Sequence, residues 1–387
     1  MGLVLLKRPP EPTYAWVQAT GAASWLARDG AGLVWWEPTK EALIVGGWDG
    51  GSPAPGQNGQ TLYPGRPTTN QIVASSYPFT AWTEVLAHVE NPPQTGPGAR
   101  FFRRHSHGCF VHRHAGTDYL YVIGGDHLCS GFDVFSQGPS RGYVCDVWRS
   151  ADPKNPNGWE RVASSDSVGW TGRMLAVHGS HEGALYTVGG QNGLLGAPVG
   201  NPVTSFTGPL DPTFYNDVWK STDGGATYTR ILDSAPWSSR GIVGKLLSWR
   251  GRMWLLTGGH YPTGAAENGP PYITSNPRTW FREVWSSSDG ISWYRHANAP
   301  CSPRHYTCVE VWDDRLWIGT GYSNNAINVG DFFSTGDGEK WTNHGAAPFA
   351  PGHADGLCAT PYGLMHATGN GTLQTGVRDV YLLQRTS

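Results

Sequence analysis

The stretch "EVWSSSDGISW" at residues 283–293 repeats a phrase that occurs twice upstream, as "DVWKSTDGGATY" (217–228) and "DVWRSADPKNPNGW" (146–159). Each copy runs acid, valine, tryptophan, then a polar turn with aspartate, then an aromatic residue. Repetition on this scale marks a repeat architecture, so the period is read before any single residue is weighed. An apolar strand closing on paired glycines precedes each copy, as "ALIVGG" (42–47), "YLYVIGG" (119–125), "LYTVGG" (185–190) and "MWLLTGG" (253–259). Degenerate copies follow in "LWIGTG" (316–321) and "LMHATGNG" (364–371), which brings the count to six.

The strand after each variable stretch carries an aromatic at Trp148, Trp219, Trp285, Phe332 and Tyr381, with "NQIVASS" as a weak first copy. A further strand opens at Trp82, Trp159, Tyr228, Trp293 or Trp341. The last unit lacks that strand, and "TYAWVQAT" (13–20), with Trp16 in the aromatic position, supplies it from the other end of the chain. The pattern predicts an all-β, six-bladed β-propeller with four antiparallel strands per blade, the last blade closed by the N-terminal strand. It is one domain over 1–387, with blades near 28–88, 100–165, 170–235, 239–299, 303–346 and 353–385 plus 13–20. Closing the ring leaves no unpaired sheet edge. Gly (53) and Pro (29) exceed a fifth of the residues while 19 Trp are present, which suits many turns around an aromatic core rather than disorder.

The double glycine after an apolar strand and the downstream "DVW…W" aromatics resemble the kelch-type propellers of the galactose-oxidase/kelch-like superfamily, over essentially the whole chain. The turn "STDGGATY" (221–228) resembles the Asp-box of sialidase-type propellers, whereas "SSDGISW" and "STGDGEKW" run one residue shorter between Asp and aromatic. The resemblance implies the fold; propellers host unrelated activities, so function has to be read from the site.

An antiparallel meander puts every second-to-third-strand loop and every blade-to-blade connection on one face. The long inserts, near 48–70, 126–143, 191–214 and 260–280, are all of that kind, and the same loop is short in blades 5 and 6, so an asymmetric cleft is expected there. A basic residue recurs near the start of each inner strand. Arg28 lies 19 residues before Gly47, Arg173 17 before Gly190, Arg240 19 before Gly259, Arg304 17 before Gly321, and His353 18 before Gly371. Blade 2 offers His107, 18 before Gly125, with Arg103, Arg104 and His105 just ahead. Arginine forks bind carboxylate and phosphate, so these residues are expected to gather positive potential at one channel mouth and take an anionic group such as a sialic or uronic acid carboxylate. The alternative, implied by the kelch resemblance, is that each bonds neighbouring backbones between blades. Trp48, Trp170, Trp237 and Trp280 map to the same face, as stacking platforms for sugars or as caps of their own blade cores.

Other candidates are weaker. "HSHGCFVHRH" (105–114) invites a metal, but strand alternation turns His105 and His107 away from His112 and His114, so no metal is assigned. Asp152, Asp223, Asp289 and Asp337 fall on the opposite face, where Asx-type turns account for them. Cys109, Cys308 and the cysteine of "DGLCATPYG" read as small core residues, and Cys129 and Cys145 either pair or remain thiols. Asp29, Glu182, Glu267, Tyr272 and Tyr322 are the available acid–base or nucleophilic groups, at no spacing that demands chemistry.

The expectation is therefore a non-catalytic ligand-recognition propeller. It binds a glycan, anionic by the arginine argument, or a protein partner through the loop-rich face, without a cofactor. The alternative is a sugar-processing enzyme akin to sialic-acid mutarotases or sialidases. A net charge of −2 argues against nucleic acid, and no apolar run reaches membrane-spanning length. The N-terminus has no leader pattern, which suits either a cytoplasmic protein or an attachment component of a virion within a larger complex.

Overall fold

The computed structural model describes residues 11–25, 27–48, 68–89, 91–126, 143–192, 213–241, 245–260, 279–323, 327–371 and 377–387. Six four-stranded antiparallel sheets are present, each ordered from an inner to an outer strand. Blade 1 comprises Gly32–Trp36, Glu41–Val45, Ile72–Ser76 and Thr83–Leu86; blade 2 comprises Gly108–His114, Thr117–Asp126, Tyr143–Ser150 and Trp159–Ala163. Blade 3 runs Val177–His181, Ala184–Val188, Val218–Ser221 and Thr229–Leu232, and blade 4 runs Leu247–Trp249, Arg252–Leu256, Val284–Ser287 and Trp293–Arg295. Blade 5 is Cys308–Trp312, Arg315–Gly319, Asp331–Thr335 and Trp341–Ala346. Blade 6 takes Gly356–Thr360, Gly363–Ala367 and Val380–Arg385 from the C-terminal end and Tyr14–Thr20 as its outer strand. Trp16 pairs with Leu383, the place that Trp341 takes opposite Thr335 in blade 5, so the first and last strands close the ring in register.

Each blade is packed on both faces, so its second strand is mostly buried, and Ala184–Val188 is buried throughout. Alternate residues of one strand feed two different cores: Leu43 and Val45 join the cluster shared with blade 2, and Ala42 and Ile44 the cluster shared with blade 6. The phrase tryptophans fill these seams from one side, Trp148 against blade 1 and Trp285 against blade 3.

Each second strand ends in two successive left-handed residues. These are Gly46–Gly47, Gly124–Gly125 and Gly189–Gly190, then Thr257–Gly258, Thr320–Gly321 and Thr368–Gly369. The fourth pair is thus one residue earlier than its double glycine suggests. Threonine rarely adopts this conformation, and here each hydroxyl is held by an inner strand. Thr257 Oγ1 meets Thr307 Oγ1 at 2.6 Å, Thr320 Oγ1 donates to Cys308 Sγ at 3.3 Å, and Thr368 Oγ1 accepts from Gly356 N at 3.1 Å. The fifth blade also shifts by one: Phe333, opposite Ile318, takes the place of Trp219 opposite Thr187, and Phe332 packs on the other side.

Candidate functional site

The repeated phrase closes an internal clamp. Nη1 of Arg28, Arg104, Arg173, Arg240 and Arg304 donates to the carbonyl of the first left-handed residue of its own blade, at 3.1, 2.9, 2.9, 2.8 and 3.2 Å. The rest of the fork grips the acid that opens the phrase. Arg104 binds both oxygens of Asp146 (2.7 and 3.1 Å), Arg173 those of Asp217 (2.6 and 3.2 Å) and Arg304 those of Asp331 (2.5 and 3.2 Å). Arg240 pairs with Glu283, and Gln71 stands in for the acid beside Arg28. The tryptophan two residues on donates to the same carboxylate, from Trp148 to Asp146 (2.7 Å), Trp219 to Asp217 (2.8 Å) and Trp285 to Glu283 (3.1 Å). An acid at this spacing thus satisfies a guanidinium and an indole at once, which is why acid, valine and tryptophan recur together.

All five arginines are at most 2% exposed. The charge of four of them meets the protein's own carboxylates, and Arg28 is held by Gln71 and the Gly46 carbonyl. The ring is also one member short. Gly47 N donates to Arg104 O, Gly190 N to Arg240 O and Gly369 N to Arg28 O, and the equivalent bond from Gly321 N reaches Gly352 O. Gly352 therefore holds the sixth arginine position, and His353 lies one residue beyond it. His107 sits deeper, its ring against Gly46 and its Cβ against Gly125, with both ring nitrogens buried. Burial, reinforced by Arg104, His105 and His178, pulls its pKa down to about 3. Trp48, Trp170, Trp237 and Trp280 are all buried; Trp170 and Trp237 belong to the blade cores, whereas Trp280 packs against His305 and Tyr322.

What reaches the mouth is different. Among the described residues, the chain turns left-handed again two residues past five of the clamp positions, at Gly30, Ser106, Leu175, Tyr306 and Ala354. Backbone bonds link these turns into a collar: Ser106 N to Gly30 O (2.8 Å), Gly30 N to Ala354 O (3.2 Å) and Ala354 N to Tyr306 O (2.9 Å). Tyr306 is the largest residue of the collar, half-buried and held at φ 53°. Its ring centroid lies 5.4 Å from His353, Tyr322 lies 5.5 Å from His353 on another side, and His305 joins Tyr322 to Trp280.

A chain of amides fixes the imidazole. Asn370 Nδ2 donates to Asp29 Oδ2 (3.0 Å), Asn328 Nδ2 donates to Asn370 O (3.1 Å), and Asn328 Oδ1 faces His353 Nδ1 at 2.7 Å. With the amide nitrogen committed, Oδ1 accepts and His353 Nδ1 donates, which leaves Nε2 as an acceptor. Burial lowers the His353 pKa to about 4, with Asp355 opposing, so the ring is neutral at pH 7. Half-buried rings with an imidazole acceptor and an amide chain thus form one surface across blades 5, 6 and 1.

Below the collar, the channel is spanned by Lys245 of blade 4. Its Nζ donates to Leu357 O (2.6 Å) and Leu33 O (3.4 Å) across the ring and pairs with Glu310 at 2.8 Å. Burial pulls against its charge, but Glu310 and neighbouring groups outweigh it and raise the pKa. The cavity here is about 130 Å³ and is lined by His107, Thr307, Cys308 and Lys245 among others.

Of the other sequence candidates, Asp29 and Tyr322 belong to the mouth. Glu182 lies in the first hairpin turn of blade 3 on the opposite face, and Glu267 and Tyr272 lie outside the described residues, as does most of the four long inserts. Cys145 Sγ lies 3.4 Å from Ser165 O, and Cys129 lies outside the described residues. Asp289 caps its turn by accepting from Ile291 N (2.8 Å) and Ser292 N (2.7 Å), and Asp337 repeats this with Glu339 N and Lys340 N. Burial pushes the Asp289 pKa up, but these bonds together outweigh it and hold the carboxyl below the usual range. Among the described residues no group of three or more His, Cys, Asp or Glu is placed to hold a metal ion, and no helix is long and apolar enough to cross a membrane.

Tyr306, Asn328 and Asn370 were missed by sequence reasoning. Tyr306 directly follows "RH" at 304–305, so counting forward from the clamp arginine, rather than back from the glycines, finds it. No family model matches the chain, and no curated protein matches it in sequence.

Proposed function

We propose that this propeller is a non-catalytic recognition module that binds a carbohydrate at the mouth formed by blades 5, 6 and 1. The observation that carries the reading is Tyr306. A tyrosine at φ 53° is a strained choice, and such strain clusters at ligand sites. It stands half-buried beside His353, which Tyr322 also flanks, and this brings ring faces for sugar C–H groups together with an imidazole acceptor for a hydroxyl. The five clamp arginines are committed to internal partners, so rings and an imidazole acceptor rather than positive charge define the ligand class: a neutral or weakly charged glycan. The kelch-like phrases support the same view, since their shared acids and arginines serve blade cohesion and leave recognition to the collar.

The test is a glycan array probed with labelled protein, followed by titration of each hit and by NMR of its anomeric signals. Saturable binding without turnover, lost in Tyr322→Ala and Tyr306→Asn with the cooperative thermal transition kept and, for Tyr306→Asn, no lower in midpoint, supports the reading. Turnover of a hit overturns it, as does binding that both variants retain. A virion-attachment role would follow only from a hit that is a host surface glycan.

A further inference from the structure

Five blades carry their own cation and the sixth does not. In blade 6 Gly352 replaces the clamp arginine, Thr368 supplies the left-handed residue whose carbonyl an arginine would reach, and Asp379 stands where Asp217 grips Arg173. The vacated path holds a carboxylate. A Cβ built on Gly47, Gly190 or Gly321 would meet the Cδ of Arg28, Arg173 or Arg304, at 3.1, 2.8 and 3.2 Å; built on Gly369 it would meet Asp355 Oδ1 at 1.6 Å. One built on Gly352 would stand 2.8 Å from the same oxygen, so the Asp355 carboxylate faces the space an arginine at 352 would enter.

Asp355 is 1% exposed in its side chain, and neither oxygen has a hydrogen-bond partner. Its nearest polar neighbour is His366 Nε2 at 3.3 Å, whose ring stacks on Phe349 at 3.9 Å. Blade 3 balances one carboxylate with one guanidinium in a bidentate pair, while in blade 6, among the described residues, no buried arginine grips either Asp355 or Asp379. A buried carboxylate without donors is costly, and a cation at that spot relieves it.

We propose that blade 6 binds a small organic cation, a guanidinium or primary ammonium group carried by a ligand, between Asp355 and Asp379 at the position filled by a built-in arginine elsewhere in the ring. The site borders the sugar surface, since Asp355 and Tyr306 line one cavity, but it stands whether or not that surface binds a glycan. Burial already holds the Asp379 carboxyl above its usual range, against the pull of His366 and Arg378, as expected for an acid lacking its clamp partner.

The experiment measures thermal unfolding of the full chain in millimolar methylguanidinium or methylammonium chloride, with sodium chloride holding ionic strength constant. The expected result is a saturable rise in midpoint. At ten times the dissociation constant it corresponds to about a tenfold gain in the folded-to-unfolded ratio. Asp355→Asn and Asp379→Asn should each abolish the rise, and Tyr306→Asn should keep it. Asp379 is half-exposed, so Asp379→Asn carries the test should Asp355→Asn fail to fold. No rise in the native protein, a rise that persists in Asp379→Asn, or stabilisation by calcium or magnesium instead of the organic cations overturns the proposal.

Discussion

Replacing Arg173 by methionine removes a charge of similar bulk from the middle of a clamp. The side chain is 2% exposed and donates to Thr171 O (3.1 Å), Gly189 O (2.9 Å) and both oxygens of Asp217. Its guanidinium carbon also lies 3.7 Å from the centre of the Tyr215 ring. Methionine restores most of the packing but leaves the Asp217 carboxylate with the Trp219 indole in place of a bidentate fork. Breaking a buried pair from one side costs about 3–5 kcal/mol, whereas replacing both partners by apolar groups of similar volume is often near neutral. Arg173→Met should therefore lose about 3–5 kcal/mol, a large share of the roughly 5–15 kcal/mol typical of a folded domain. Arg173→Met with Asp217→Leu should recover at least half of it. Urea unfolding followed by tryptophan fluorescence and far-ultraviolet dichroism reads both variants, with coincident transitions checking two-state behaviour. A single variant within about 1 kcal/mol of the native protein refutes the clamp as a structural element and returns Arg173 to the list of ligand contacts.

The remaining predictions concern the mouth, the channel and acid stability. Tyr306→Asn replaces a strained residue with one that tolerates left-handed backbone, so stability should hold or rise by up to about 1 kcal/mol while glycan affinity falls at least tenfold; calorimetry and titration check the two arms. His178 is buried, and burial, helped by Arg173, lowers its pKa to about 3. The unfolded chain then binds the extra proton below about pH 6.5, so stability should fall as pH drops from about 6.5 toward 3, by about 1.4 kcal/mol per pH unit for this residue. His178→Gln should flatten that slope in a pH series of urea midpoints. Lys245→Met leaves Glu310 and two carbonyls across the channel without their donor and should cost about 1–3 kcal/mol in the same urea assay.

The blade count and ring closure were legible because both follow from local pattern: an apolar strand, a tight turn and an aromatic at fixed offset. Trp16 opposite Leu383 bears this out at the seam, where the first and last strands meet. The register shifts at Thr257–Gly258 and Phe333 were not legible, since a threonine takes a left-handed turn only when a neighbouring strand holds its hydroxyl, and that partner is far away in sequence. The arginine spacing was real, but whether a guanidinium faces solvent or an acid more than forty residues later depends on where the third strand sets that acid, as for Arg173 and Asp217. The same distance hid Gly352, because His353 beside it satisfied a search for basic residues. Tyr306 was invisible for the opposite reason: nothing marks a tyrosine as strained until its backbone is seen.

Hydrogen–deuterium exchange, with and without the glycan that the array selects, tests the central claim most directly. Binding at the collar predicts slower exchange at residues 305–307, 327–329 and 353–354, with residues 102–104 and 171–173 unchanged. Protection centred on the clamp segments instead, or on the turns that carry Asp223 and Asp289, would contradict it.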